Sequence, residues 1–403
     1  MSMSSDVCLL GILSKSKIQL QPIYHFEILK RVEDLPMQWE ILVQNANSFL
    51  QKPYLQALEN ALPKDYQFYY LLIYQESELI GFALAHSFHF KGIESVKIDK
   101  QSSEFRQKIQ RLLLHQLNFN FLVLGNATLT GEYGFHFKSK VSSNLRFDLL
   151  RQAANQLTQE ISQKIDILVV KDLEEDHRDA GEILLQKRFH QMYIQPNMVM
   201  EIPESWSDFG DYLGALRSKY RIRVKRAFKK LGAIKRRYLS EEDLVAYQSQ
   251  MYQLYEQVAQ NAEMNVQQFP EHYFLSLKQQ LSSDFQVLGY FLEDELVGFS
   301  TTIHDHTHLE AHFLGFDMAI NQQHQLYLNM LFDLIRYAIE QCAESITFSR
   351  SAIEIKSSVG AIPKALHSYV KHSNPLINSL LPFFLRFLGG EQEWVWRSPF
   401  KEL

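Results

Sequence analysis

Residues 68–82 read FYYLLIYQESELIGF, and residues 285–299 read FQVLGYFLEDELVGF. The two align without a gap at an offset of 217. Phe68/Phe285, Leu71/Leu288, Glu76/Glu293, Glu78/Glu295, Leu79/Leu296, Gly81/Gly298 and Phe82/Phe299 are identical pairs, and the remaining pairs are mostly apolar. Each copy has the pattern of a hairpin: an apolar run, an acidic turn, then a second run opening Leu-Ile-Gly-Phe or Leu-Val-Gly-Phe. A repeat this long, similarly placed in each half of the chain, predicts duplication of a whole folding unit.

The flanks extend the pattern. A helix-like stretch from Trp39 to Leu62, interrupted near Lys52-Pro53, precedes the first hairpin; helical stretches 241–260 and 270–282 precede the second. After the second hairpin come a strand (His308 to Gly315), a loop, an apolar helix (Leu326 to Cys342) and a strand (Ser345 to Phe348). After the first, the expected counterparts are a strand near Ile93–Ile98, a helix (Glu104 to Leu117) and a strand (Phe119 to Leu124). Alternation of this kind predicts a mixed α/β (α+β) class, with a central mixed sheet flanked by helices in each half. The expected division is an N-terminal extension (1–24), a first domain (25–205), a basic amphipathic helix (206–238) and a second domain (239–403).

The 403 residues are 46% hydrophobic and 22% charged, which excludes a disordered or fibrous chain. The net charge of -5 provides no global attraction to nucleic acid. Two cysteines, Cys8 and Cys342, exclude a disulfide scaffold and a four-cysteine zinc site. The apolar stretch Val7–Leu13 has no preceding basic residue, and no run is long enough for a membrane helix, so a soluble cytoplasmic protein is expected.

This order of elements resembles the acyl-CoA N-acyltransferase (GNAT-like) fold. Two units in one chain resemble the Fem-type aminoacyltransferases and their peptidogalycan biosynthesis/recognition relatives. The stretches that carry the resemblance are Tyr212 to Arg221 (YLGALRSKYR), Ser349 to Ala361 (SRSAIEIKSSVGA) and Leu124-Gly125-Asn126 with Leu129-Thr130-Gly131. The resemblance implies two tandem GNAT-like domains and transfer of an acyl or aminoacyl group to an amine. It also implies a donor carbonyl held where two strands splay apart and a carboxylate that takes the amine proton. The co-substrate would be acyl-CoA or aminoacyl-tRNA, with no permanently bound cofactor and no metal. Two alternatives stay open: an acyl-CoA-dependent enzyme acting on a small amine or peptide, and a non-catalytic binding module that keeps the fold.

Candidate residues follow. Segment 217–237 holds eleven Lys/Arg and no acid, and Leu213, Leu216, Tyr220, Val224, Phe228 and Leu231 recur at helical spacing. It is a linker helix or a surface for phosphates, such as tRNA or another anionic substrate, with Lys219, Tyr220, Arg221 and Arg223 as contacts. The loop Phe316 to Gln325 lacks the glycines of the usual coenzyme A grip and carries Asp317. Gly125, Gly131 and Gly134 follow a buried-type strand, as a phosphate cradle or as ordinary turns. The run His304 to His312 has a metal-like composition. Strand alternation would place His308, Glu310 and His312 on one face, with Leu309, Ala311 and Phe313 on the other. We expect Glu310 as general base, His312 beside it and Tyr327 as acid, with Ser349, Arg350, Glu354 and Lys356 contacting phosphate or carboxylate. The Leu/Phe-rich stretch Pro375 to Gly390 predicts a buried helix before a last strand around Trp394-Val395-Trp396, or a membrane contact.

Overall fold

The computed structural model describes residues 23–63, 65–92, 117–174, 178–260, 269–388 and 394–401, together with 108 and 111. The strand expected near 93–98 and most of the helix expected over 104–117 lie outside the described residues.

In chain order the strands are β1 (Tyr24–Leu29), β2 (Gln67–Gln75), β3 (Glu78–Lys91), β4 (Asn118–Leu124), β5 (Phe135–Phe137), β6 (Ile167–Glu174), β7 (His190–Met192), β8 (Asn197–Glu201), β9 (Lys235–Tyr238), β10 (Phe285–Leu292), β11 (Glu295–Asp305), β12 (His308–Phe316), β13 (Ser345–Thr347), β14 (Ile362–Lys364) and β15 (Leu366–His372). The helices are α1 (Met37–Val43), α2 (Lys52–Ala61), α3 (Ser143–Glu160), α4 (Arg178–Gln186), α5 (Phe209–Ala215), α6 (Ser218–Leu231), α7 (Glu241–Ala246), α8 (Gln248–Ala259), α9 (Tyr273–Leu281), α10 (Met318–His324), α11 (Leu326–Glu340), α12 (Ile353–Ser357) and α13 (Pro375–Leu388).

Two mixed sheets form. One runs β1-β2-β3-β4-β6-β15-β7 with β5 also on β3; the other runs β14-β8-β13-β12-β11-β10-β9. The repeated hairpins are equivalent in register. Phe68 pairs His86 and Ile73 pairs Gly81; at the same offset Phe285 pairs Ile303 and Tyr290 pairs Gly298. Both ladders shift one residue later, between Ile73 and Tyr74 and between Tyr290 and Phe291. Both turns place a glutamate at positive φ, Glu76 at 54° and Glu293 at 50°. The shared glycine of each second strand meets packing: a Cβ at Gly81 would lie 2.3 Å from the Phe137 ring, and one at Gly298 would lie 2.6 Å from Met330.

The equivalence beyond the hairpins differs from the sequence expectation. β4 pairs antiparallel with β3 and parallel with β6, just as β12 pairs antiparallel with β11 and parallel with β13. Residues 119–124 are therefore the counterpart of 308–315, not of 345–348. An extra stretch, 92–117, separates β3 from β4, and sequence order alone shifts the comparison by one strand.

The sheets also exchange strands. β8 lies before residue 205 yet fits between β13 and β14, and β15 lies near the C-terminus yet fits between β6 and β7. All four pairings are antiparallel, so the exchange is reciprocal. The basic stretch 206–238 comprises three elements: α5, α6 and the edge strand β9.

One apolar core crosses between the halves. α2 lies against α9, and Tyr54, Leu55 and Leu58 share a cluster with Phe274, Leu277 and Leu281. α13 differs from the buried helix expected: Leu381 and Asn378 face inward, but Leu376, Leu380, Phe383 and Phe384 are exposed. Trp394 to Trp396 form no strand, and Val395 N–H donates to the Glu354 carboxylate instead. Among the described residues no helix is long and apolar enough to cross a membrane.

Candidate active site

The parallel pairing of β12 with β13 covers only His308–Ser345, Leu309–Ile346 and Glu310–Thr347. β12 continues to Phe316, while the chain beyond Thr347 turns away. Two parallel strands that part leave an edge without ladder partners, and such a gap is a place for a ligand. A cavity of about 590 Å³ opens there. Ala311 to Leu314 line one side, Phe348 to Ala352 with Lys356 another, and α8 and α11 close it with Val258, Tyr327 and Leu331.

β12 bulges where it enters the cavity. Ser300 pairs Leu314 and Thr302 pairs Ala311, so His312 and Phe313 together oppose Thr301. The Thr301 hydroxyl accepts from Phe313 N–H at 2.9 Å and donates to Phe313 C=O at 2.8 Å. The bulge corrects the expected alternation: Leu309 and Ala311 pack in one cluster, while Phe313 turns to the aromatic group of Tyr255, Phe269 and Tyr273.

The corresponding place in the first half is built differently. Ala85 pairs Leu124 as Thr302 pairs Ala311, and Ala83 pairs Phe135 as Ser300 pairs Leu314. Residues 125–134 thus stand where the second half has the two-residue bulge. This loop folds over its own strand end tightly: a Cβ on Gly134 would lie 2.1 Å from Gly125 Cα. Its Ala127 and Thr128 reach across and line the cavity of the second half. Lys171 donates to Leu129 C=O and pairs with Asp172. The glycine loop is therefore occupied by protein contacts. The second half supplies the splayed strands, and the first half supplies part of the wall.

The strand end at Ser349 is strained. Ser349, Ser351 and Ala352 all have positive φ, at 60°, 67° and 47°, a costly conformation for non-glycine residues. Long-range bonds hold it. Ser349 Oγ donates to Thr130 Oγ1 at 2.8 Å, Arg350 Nε donates to Gln195 C=O at 3.0 Å, and Arg350 pairs with the fully buried Asp172. Lys356 Nζ donates to the Ser349 and Arg350 carbonyls from inside the turn.

Glu310 and Lys356 are both buried. Burial pushes the Lys356 amine down to about 7, with Glu310 opposing the shift. Burial likewise pushes the Glu310 carboxyl well above the usual carboxylate range, against the pull of Lys356. Glu310 Oε2 has no hydrogen-bond partner among the described residues. His312 is also buried, which lowers it to about 3 and keeps the imidazole neutral. Its Nε2 lies 2.7 Å from Tyr273 Oη, and its Nδ1 has no described partner. With the phenol donating, the ring proton sits on Nδ1, leaving a donor unsatisfied within the protein.

Of the residues singled out from sequence, the structure brings His312, Tyr327, Ser349, Arg350 and Lys356 together around the cavity, with Glu310 close to Lys356. It does not bring Lys219, Tyr220, Arg221, Arg223 or Glu354 there. Tyr220 is on the buried face of α6, Arg221 donates to Leu216 C=O, and burial lowers Arg223, which lies near Arg397. Lys219, Lys225, Arg226, Lys229 and Lys230 form an exposed face on α6. Glu354 is at the surface and pairs with Arg397. The histidines of the 304–312 run have separate tasks: His304 bonds Tyr337, His306 bonds Ala46 C=O, and His308 bonds Ser345 and Thr347. Among the described residues no group of three or more His, Cys, Asp or Glu is placed to hold a metal. Sequence reasoning missed Thr128, Tyr273, Lys171 and Asp172. Only the register equivalence of β4 with β12 could have drawn Thr128 to the site.

At the helix end that commonly holds a diphosphate, one backbone N–H is already taken. Asn321 Oδ1 accepts from Tyr327 N–H at 2.9 Å, and Asp317 caps α10 by accepting from Ala319 N–H. The N-terminus of α11 has no glycine cradle of the kind that binds phosphate.

Residues 216–357, which include every cavity residue of the second half, match the acetyltransferase (GNAT) domain. No curated protein matches the chain. The crystal structure of FemX is similar in fold, with a TM-score of 0.54 at 11% identity over 88% of this chain and 99% of that one. A tandem GNAT protein from the clavulanic acid biosynthesis pathway gives a TM-score of 0.49 at 8% identity, over 88% and 99%. L-PGS from Bacillus licheniformis gives 0.45 at 10% identity, over 88% and 97%.

Proposed function

We propose that the chain, whose residues 216–357 match the acetyltransferase (GNAT) domain and whose fold is similar to that of FemX, transfers an acyl group to an amine in the cavity of its second half. The observation that carries this reading is the parting of β12 and β13 beyond Glu310–Thr347, which opens directly into that cavity. The acyl carbonyl lies along the freed edge of β12. Backbone N–H groups there and the His312 Nδ1–H stabilise the oxyanion that develops as the amine adds.

The amine nitrogen forms its bond to the acyl carbon, and the bond from that carbon to the carrier breaks. The amine must lose a proton. Lys356 lines the cavity with an amine lowered to about 7, so a large fraction is neutral near pH 7 and can accept it. Glu310 acts through Lys356, since their mutual attraction keeps that amine from falling further. Burial raises the Tyr327 phenol, so it remains protonated and can donate to the departing group. Ser349 and Arg350, held across the halves, fix the opposite wall.

The Asn321 bond at the N-terminus of α11, the lack of glycines there and the acid at Asp317 oppose the usual coenzyme A diphosphate grip. The exposed cations of α6 line no part of the cavity, and a role for them in holding tRNA or another polyanion is a separate matter.

The test is product formation. The full chain is incubated with thioester and aminoacyl-ester donors and a panel of primary amines, and amide products are read by mass spectrometry. Amide formation lost in Lys356→Met supports the reading. Donors that bind but give no amide with any amine overturn it in favour of a binding module.

A further inference from the structure

The cavity wall has two kinds of lining. Ser349, Arg350 and Lys356 contribute polar groups; Val258, Leu314 and Phe316, which share one apolar cluster, form an apolar patch with Leu331 and Leu334. Among the described residues lining it there is no Asp or Glu. We propose that the acyl group taken by this site is an uncharged hydrocarbon chain, not an aminoacyl group. The inference rests on the acyl-transfer reading of the same site.

Charge and volume both support it. An aminoacyl ester carries an ammonium two bonds from the reacting carbonyl carbon. In this cavity that ammonium would lie near Lys356 and Arg350; the described wall holds no carboxylate, and Glu310, which is not part of the wall, already faces the Lys356 amine, so the added charge is disfavoured. The Arg350 counter-charge, Asp172, is fully buried and already shared with Lys171. A methylene takes about as much room as a water molecule, roughly 30 Å³. Half of the 590 Å³ then holds about ten carbons, which an acetyl or alanyl group would leave mostly unfilled. An empty apolar wall loses its contacts, whereas each added methylene in such a site tightens binding by roughly fourfold.

The probes are acyl thioesters of N-acetylcysteamine with two, four, six, eight and ten carbons, and the alanyl thioester. All lack a nucleotide, so the carrier grip does not enter. Dissociation constants are measured on the full chain by calorimetry. Affinity rising by about threefold or more per methylene to at least eight carbons, with the alanyl thioester weaker than the four-carbon one, is the expected result. Two fillers of the apolar patch, Val258→Trp and Leu314→Trp, should each abolish the chain-length gain, so that the ten-carbon and two-carbon thioesters bind alike. A thermal melt confirms that each is folded, and either variant alone suffices. Equal affinity along the series, or tighter binding of the alanyl thioester, overturns the proposal. Amide formation without a chain-length effect would remove this inference and keep the transferase reading. A chain-length effect with no amide product would do the reverse.

Discussion

Asp172 in the first half and Arg350 in the second form an ion pair whose carboxylate is entirely buried. The same carboxylate pairs with Lys171, and its Oδ2 accepts from Gly131 N–H at 3.1 Å. It therefore ties together the strand end of one half, the loop that crosses over, and the turn that shapes the cavity. Burial alone would raise its pKa, but Lys171 and Arg350 outweigh burial, and the net shift is downward. Removing it would leave two largely buried cations, Lys171 and Arg350, without their counter-charge. Asp172→Ala should lose about 3–5 kcal/mol in denaturant unfolding. Because the folded pKa is depressed, the stabilisation is present above the ordinary aspartate value, about 4, and is lost as pH falls through the folded one. The stability gap between wild type and Asp172→Ala should therefore narrow in acid, and a gap constant down to pH 2 would show that the pair does not act this way.

Lys356 has the opposite signature. Its folded pKa, about 7, lies below the ordinary lysine value, near 10.4. Between those values the unfolded chain binds more protons, so the destabilisation from burying Lys356 shrinks as pH rises from 7 to 10. Lys356→Met should be stabilised relative to wild type most at pH 7 and least at pH 10. Melts of both proteins in matched buffers measure the difference, and one that grows with pH would contradict the assignment.

The same amine sets the rate profile. With an identified substrate, kcat/KM should rise with pH to a plateau above about 7. Lys356→Met and Lys356→Arg should both lose about 10²–10⁴-fold, since guanidinium cannot accept the proton. Glu310 raises the Lys356 pKa, so Glu310→Gln should move the rising limb to lower pH. If Glu310→Gln lost as much rate as Lys356→Met with no shift of the limb, Glu310 itself would be the base.

Gly134 tests the contribution of the first half. Its added Cβ would meet the Gly125 backbone, which cannot rotate away. Gly134→Ala should displace residues 125–134, cost about 1–3 kcal/mol, and lower turnover more than tenfold by moving Thr128 from the wall. Unchanged turnover in a folded Gly134→Ala protein would mean that the loop is only a cover.

The hairpins were legible because their register is local: an acidic turn between apolar runs specifies it, and duplication states it twice. β12, α11 and β13 were legible by periodicity. Neither the extra stretch before β4 nor the exchange of β8 and β15 was. Asn197–Glu201 and Leu366–His372 are short, and their partners lie in the other half, so nothing local marks where they pair. His312 was found through strand alternation, and Ser349, Arg350 and Lys356 lie in a stretch that carries the family resemblance. Thr128 and Asp172 were not found, because their roles arise from contacts across the halves, which leave no spacing in the sequence. The bulge at His312–Phe313 likewise depends on a partner strand, so alternation failed there.

The reciprocal strand exchange also sets an order for synthesis. Until residues 366–372 emerge from the ribosome, the first sheet has β6 as an open edge with its backbone groups unpaired. The first sheet is thus born incomplete and waits for β15, which follows the strands of the second sheet. Exposed strand edges invite pairing with other chains, and contacts this distant in sequence form slowly. A chain stalled before residue 366 should be held by chaperones, and release should follow completion of the last strands, not of the first half.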